Sequence, residues 1–141
     1  MTAPAVANGT RNLARSIGAV VAGFLAVAIL STIVDVVLHS LNFYPPWGQP
    51  MFDPTQNAVA LGYRLLFNVM GGYLTARLAP HSPMKHAIIL GAVGTVFGAV
   101  GVYIGITRNL GPAWYPILLA LSGLPFCWLG GAWYVRRAVR S

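Results

Sequence analysis

Acidic side chains are nearly missing from this sequence. Asp35 and Asp53 are the only two in 141 residues, and charged residues of both signs make up 8% of the chain. Ordinary soluble domains are about 25% charged, so too few charges are present to solvate a globular surface. With two carboxylates in all, most hydrolytic and phosphoryl-transfer schemes lack their parts. No G-x-S-x-G, H-E-x-x-H or Walker pattern occurs either, and no enzymatic activity is expected. Cysteine is limited to Cys127, inside an apolar run, which excludes an internal disulfide and any Cys-based metal spacing. His81 and His86 fall at one face of the expected bundle and His39 at the other, so a bis-histidine haem is not expected. Neither a metal nor another cofactor is predicted.

What the chain has instead is apolar length. Hydrophobic residues make up 57% of it, and the mean hydropathy is +0.69. Four apolar segments match the roughly 20 residues that cross a bilayer. The expected fold is therefore an all-α membrane protein, one integral membrane domain over residues 1–141. Its four transmembrane helices, at about 14–39, 56–79, 83–107 and 112–137, form two antiparallel hairpins. Residues 1–12, small and alanine-rich, are expected to be flexible. Arg11 and Arg15 before the apolar run resemble a signal peptide, but Ile17 to Val34 exceeds the 7–15 residues of a signal core. A retained first helix is expected. The loop 40–57 holds Pro45, Pro46, Pro50 and Pro54 among Phe43, Tyr44, Trp47 and Phe52, a composition suited to a headgroup region. Asp53-Pro54-Thr55 reads as the start of the second helix.

The formal charge of +7 does not read as nucleic-acid binding, because the charges sit at segment ends and form no soluble basic patch. They read as orientation. With the N-terminus in the cytoplasm, Arg11, Arg15, Arg77, Lys85, Arg136, Arg137 and Arg140 fall inside, and Arg64 and Arg108 outside. By the positive-inside rule both termini are expected to be cytoplasmic.

Glycine shapes the third helix. Gly91, Gly94, Gly98, Gly101 and Gly105 recur at spacings of 3 and 4, so they share one stripe. Glycine costs about 1 kcal/mol relative to alanine in a water-soluble helix, but in lipid, rows of small residues let helices approach closely. The fourth helix has its own stripe, which includes Ala120, Gly123, Cys127 and Gly130. A short turn joins the two helices, so the bland reading is that the stripes face each other. The sharper reading is that the third helix offers its stripe to another protein. Pro125 is expected to kink the fourth helix. Gly18-Ala19-Val20 recurs as Gly91-Ala92-Val93, and Gly71-Gly72 as Gly130-Gly131. These repeats fit either a parallel duplication or chance within a small alphabet.

Only one polar group suggests chemistry. Asp35 and His39 share a face of the first helix with Ser31, and Asn57, Arg64, Asn68, Gly71 and Thr75 form a stripe on the second. At about 1.5 Å per residue, Asp35 lies roughly 6 Å and Arg64 roughly 10 Å below the outer ends of their helices. The two are expected to pair, because either charge alone is costly in lipid. His39 would hydrogen-bond Asp35 or sit in the interface. Such a pair either pins two helices together or handles a proton or ligand.

The runs Gly71-Gly72-Tyr73-Leu74-Thr75-Ala76-Arg77-Leu78-Ala79-Pro80 and Gly111-Pro112-Ala113-Trp114-Tyr115-Pro116 resemble a group of small four-helix bacterial inner-membrane proteins. The resemblance implies that location and origin and carries no activity with it. Three functions compete. The first is an accessory or structural subunit of a larger membrane complex. The second is a homo-oligomeric transporter or channel component working through Asp35, His39 and Arg64. The third is a protein that binds lipid or quinone in a groove beside the third helix. The expected partners are the bilayer, other membrane subunits and a bound lipid or quinone, and not nucleic acid.

Overall fold

A computed structural model describes residues 2–140, with side chains from residue 8 onward. Its elements are four helices: α1 (Thr2–Ser40), α2 (Pro54–Leu78), α3 (Pro83–Thr107) and α4 (Trp114–Arg140). Over the lead expected to be flexible, 1–12, α1 is already helical from Thr2 (Met1 lies outside the described residues). Alanine is the best helix former, and Pro4 falls in the first turn, where its missing N–H costs nothing. At the other boundaries, α4 begins two residues later than expected and runs on to Arg140.

Three helices are long and apolar enough to cross a membrane: Asn8–Ser40, Pro83–Thr107 and Trp114–Arg140. The expectation of four apolar segments is corrected at α2, whose Asn57, Arg64, Asn68 and Thr75 dilute its hydropathy. The packing explains how α2 carries them. It lies at the centre and touches all three other helices. Asn57 and Thr75 are 2% and 0% exposed, while the outward strip in mid-helix is Val59, Gly62, Leu66 and Met70.

Helices α1 and α2 run antiparallel. Arg64 meets Asp35 towards one end, and Thr75 Oγ1 donates to the Ala19 carbonyl, 3.1 Å, towards the other. Helices α3 and α4 are also antiparallel, with Gly91 against Leu124 and Gly105 near Pro116. Helix α2 runs parallel to α4, and its Tyr73 packs on Trp133 and Tyr134. Contact between α1 and α3 includes Phe24 on Phe97, with ring centroids 5.2 Å apart, and the buried His86, whose Nε2 lies 2.9 Å from Ser16 Oγ. Among the described residues, no Cα of α1 lies within 8 Å of a Cα of α4.

Small residues set the close approaches. A β-carbon at Gly72 would strike the Cys127 carbonyl, and one at Gly130 the Val69 carbonyl, so backbone meets backbone where α2 crosses α4. Gly23 does the same for α1 and α2, against Thr75 and the Gly71 carbonyl. The glycine stripe of α3 does not act as one face. Gly91 and Gly98 lie on α4, where added β-carbons would come within 2.8 Å of Leu124 Cα and Ala120 Cα. Gly94 and Gly101 have open space beside them. The physical reason is angular: a 3/4 spacing alternates about the stripe's centre line, and α4 covers only one side of it.

At the end opposite the chain termini, the loop 41–53 is stapled down. Asp53 caps α2, its Oδ1 accepting from the N–H groups of Thr55 (2.8 Å) and Gln56 (3.1 Å). Asn57 Nδ2 donates to the Met51 and Asp53 carbonyls, and the Met51 N–H donates to the Leu110 carbonyl in the α3–α4 turn.

Candidate functional site

Because α1 and α4 stay apart while α2 and α3 lie behind them, the bundle has a lateral groove with a cavity of about 490 Å³. One wall is α1, through Phe24, Val27, Ser31 and Asp35. The other is α4, through Tyr115, Leu119, Gly123 and Cys127. The floor is Arg64 and Asn68 of α2, with Leu90, Gly94, Gly98 and Gly101 of α3. From Phe24 to Asp35 the groove is about 16 Å long at the helical rise. Its volume falls in the roughly 300–1,000 Å³ range of small-molecule sites. Its charge lies at one end and its apolar surface along the rest.

The charged end is an ordered network. Arg64 Nη2 donates to Asp35 Oδ2 at 2.6 Å, and the two side chains are 21% and 19% exposed. The other carboxylate oxygen, Oδ1, accepts from the Tyr63 hydroxyl. Arg64 Nη1 donates to the Tyr63 oxygen at 2.9 Å, and Tyr63 lies 3.0 Å from the Tyr44 hydroxyl. Burial raises the pKa of the Tyr44 phenol above its ordinary value, outweighing its hydrogen bond with Tyr63, which lowers it, so at neutral pH it is a neutral hydroxyl. Asp35 and Arg64 also border a second cavity of about 340 Å³ beneath the loop, lined by His39, Tyr44, Trp47 and Tyr115. The ion pair thus separates the lateral groove from a vestibule at the loop end.

The expected pairing of Asp35 with Arg64 is present, and the roughly one-turn difference in depth is spanned by the arginine side chain. His39 is not part of the carboxylate network. Its Nδ1 donates to the Asp35 backbone carbonyl at 2.7 Å, and its ring stacks on Trp47, with centroids 3.7 Å apart. A helical histidine can satisfy its own fourth-preceding carbonyl, and that local bond takes the nitrogen that would have reached the carboxylate. Asn68 lies on the groove floor, whereas Asn57 holds the loop. The tyrosines Tyr63, Tyr44 and Tyr115 were missed by sequence reasoning. Tyr63 adjoins Arg64 in the chain, and helical side chains one apart point in different directions. The pattern therefore held no signal that both would reach Asp35.

Ser31 carries the most informative polar atom. It is 8% exposed, and its Oγ has no hydrogen-bond partner. Other helical hydroxyls back-bond to the preceding turn: Thr32 to Ala28, Ser40 to Val36, Thr95 to Gly91 and Thr107 to Tyr103. Ser31 instead lines the groove. Asn68, across from it, makes no side-chain hydrogen bond among the described residues. A buried hydroxyl left unsatisfied costs about 1–3 kcal/mol. Among the described residues, no three His, Cys, Asp or Glu side chains gather in a metal-binding group. His81 and His86 meet edge-on with centroids 5.4 Å apart, leaving no room for a macrocycle between them.

Compared with family models, curated proteins and solved structures, the chain matches none. The functional reading therefore rests on the groove and its chemistry.

Proposed function

We propose that this protein is a four-span membrane protein that takes up one membrane-soluble amphiphile through the groove between α1 and α4. The single observation that carries the reading is the groove itself: it opens sideways, is apolar over most of its length, and ends in Ser31, Asn68 and the Asp35–Arg64 pair. Lateral opening suits a ligand arriving from lipid, and the amphipathic lining suits a tail with a polar head. Around the groove, α1 presents Leu13, Ile17, Val21, Leu25, Ile29 and Ile33 outward, each about half exposed or more, as a lipid-facing surface does.

Spanning by α2 is supported by its length, about 37 Å for 25 residues, and by its apolar outward strip. Seven of the nine basic residues lie at or near the end of the bundle that holds the termini. The positive-inside rule then supports cytoplasmic termini, and the resemblance noted above supports a bacterial inner membrane. The accessory-subunit reading rested on more glycine-lined surface than one bundle needs. Gly91, Gly98 and Gly105 face α4, and the other two, Gly94 and Gly101, line the groove. A second reading keeps the groove and changes its occupant to a helix of an unlike subunit.

Native mass spectrometry after extraction into lipid nanodiscs tests both readings. The expected result is one non-covalent adduct of small-molecule mass per chain, lost on Gly94→Leu, which fills the groove. A stoichiometric complex with another protein and no small adduct would favour the subunit reading. The bare chain, identical in wild type and Gly94→Leu, would overturn both.

A further inference from the structure

We infer that the groove selects an uncharged, oxygen-bearing headgroup, one able to hydrogen-bond to a hydroxyl and an amide, and rejects an anionic phosphate. The inference rests on the amphiphile-binding reading above and specifies its chemistry. Arg64 is the feature that first invites a phosphate, because guanidinium forks match that geometry. Here the guanidinium is already engaged: Nη2 donates to Asp35, and Nη1 to Tyr63 and, at 3.4 Å, to the Ala60 carbonyl.

Among the described residues, Asp35 and Arg64 are the only charged ones lining the groove, and they cancel at 2.6 Å. A phosphate entering would bring an unpaired charge into an apolar slot, where burying an unpaired ion is strongly unfavourable. It would also compete with Asp35 for an arginine that Asp35 already holds.

The other polar groups of the groove are neutral. Ser31 Oγ offers one donor and its lone pairs, and the Asn68 amide offers two donors and an acceptor. Neither side chain has a hydrogen-bond partner among the described residues. Ser31 is more than nine-tenths buried, so bulk water at an open surface does not satisfy it. A carbonyl or hydroxyl at the head of an apolar chain would complete both groups without adding charge. Two membrane-soluble classes share that chemistry: a quinone, with ring carbonyls, and a neutral glyceride, with an ester and free hydroxyls.

The test is equilibrium binding to the full chain in nanodiscs of uncharged lipid. The probes are a decyl benzoquinone, monoolein and oleoyl lysophosphatidate, used with wild type, Ser31→Ala and Asn68→Leu. The expected result is that a neutral probe binds more tightly than lysophosphatidate. Ser31→Ala should weaken it about fivefold, the worth of one neutral hydrogen bond, and Asn68→Leu by at least as much. Ser31→Ala should also fold at least as well as wild type, since it removes an unpaired buried hydroxyl. The quinone and glyceride arms separate the two sources. Tightest binding by lysophosphatidate would overturn this inference and leave the groove reading standing, as would neutral-probe binding that neither substitution weakens. No binding by any probe, with no native adduct, would sink both together.

Discussion

At the residue scale, the Asp35–Arg64 pair shows how a costly side chain is tolerated. Each is about four-fifths buried, and each is satisfied by the other and by Tyr63. Breaking a buried pair by removing one member costs about 3–5 kcal/mol, because the survivor is left charged and unpaired, whereas removing both is far milder. Arg64→Ala should therefore lower the thermal stability of the detergent-solubilised protein sharply, while Asp35→Ala/Arg64→Ala recovers most of the loss. Light-scattering or intrinsic-fluorescence melts measure this, and additive losses in the double variant would show that the pair is not coupled. Ser31 belongs to the same scale and the opposite category. Its unpartnered hydroxyl is a local cost that packing alone does not explain, and one that the proposed ligand would remove.

At the scale of elements, glycines that look equivalent along a helix have different work. Gly72 lies against the Cys127 backbone, so a methyl group there must separate α2 from α4, whereas Gly94 has open space. Overpacking a well-fitted contact typically costs about 1–3 kcal/mol. Gly72→Ala should destabilise the bundle by that order, and Gly94→Ala should leave its melting unchanged or slightly raised, through better helix propensity. Equal melts for the two variants would contradict the packing described. One glycine of each diglycine, Gly72 and Gly130, lies where the parallel helices α2 and α4 cross, while Gly71 faces Val27 of α1 and Gly131 faces Ala87 of α3. The two halves are not symmetric. Helices α2 and α3 are in contact, while the corresponding pair α1 and α4 stays apart, and that gap is the groove.

At the scale of the whole molecule, orientation follows from where charge collects. The chain termini and the 79–82 link share one end of the bundle, and the Pro-aromatic loop and the α3–α4 turn share the other. Reporter fusions should place the C-terminus and the 79–82 link in the cytoplasm, and the loop at 47–50 outside. A cytoplasmic loop would invert the arrangement, and an outward 79–82 link would remove α2 as a span. The fold also puts the vestibule beneath that loop and the groove along the side of the bundle, with Asp35 and Arg64 between them.

Composition and spacing determined a good deal. Scarce charge and long apolar runs dictate helices suited to lipid, because an unpaired backbone has no other solution there. Asp53-Pro54-Thr55 marks the start of α2 through local capping chemistry, and the cost of a lone charge dictates that Asp35 finds Arg64. The helical start of α1 was not legible because small residues look featureless although alanine favours helix. Helix α2 falls outside the apolar candidate spans because hydropathy counts its polar residues without knowing which way they face. Only the tertiary structure decided those facings. It turned Asn57 and Thr75 of α2 inward, split the α3 glycines between α4 and open space, and brought in Tyr63. It also held α1 apart from α4. The groove exists because of that last fact, a relation between two helices 74 residues apart in chain order (Ser40 to Trp114), which no periodicity within either helix encodes.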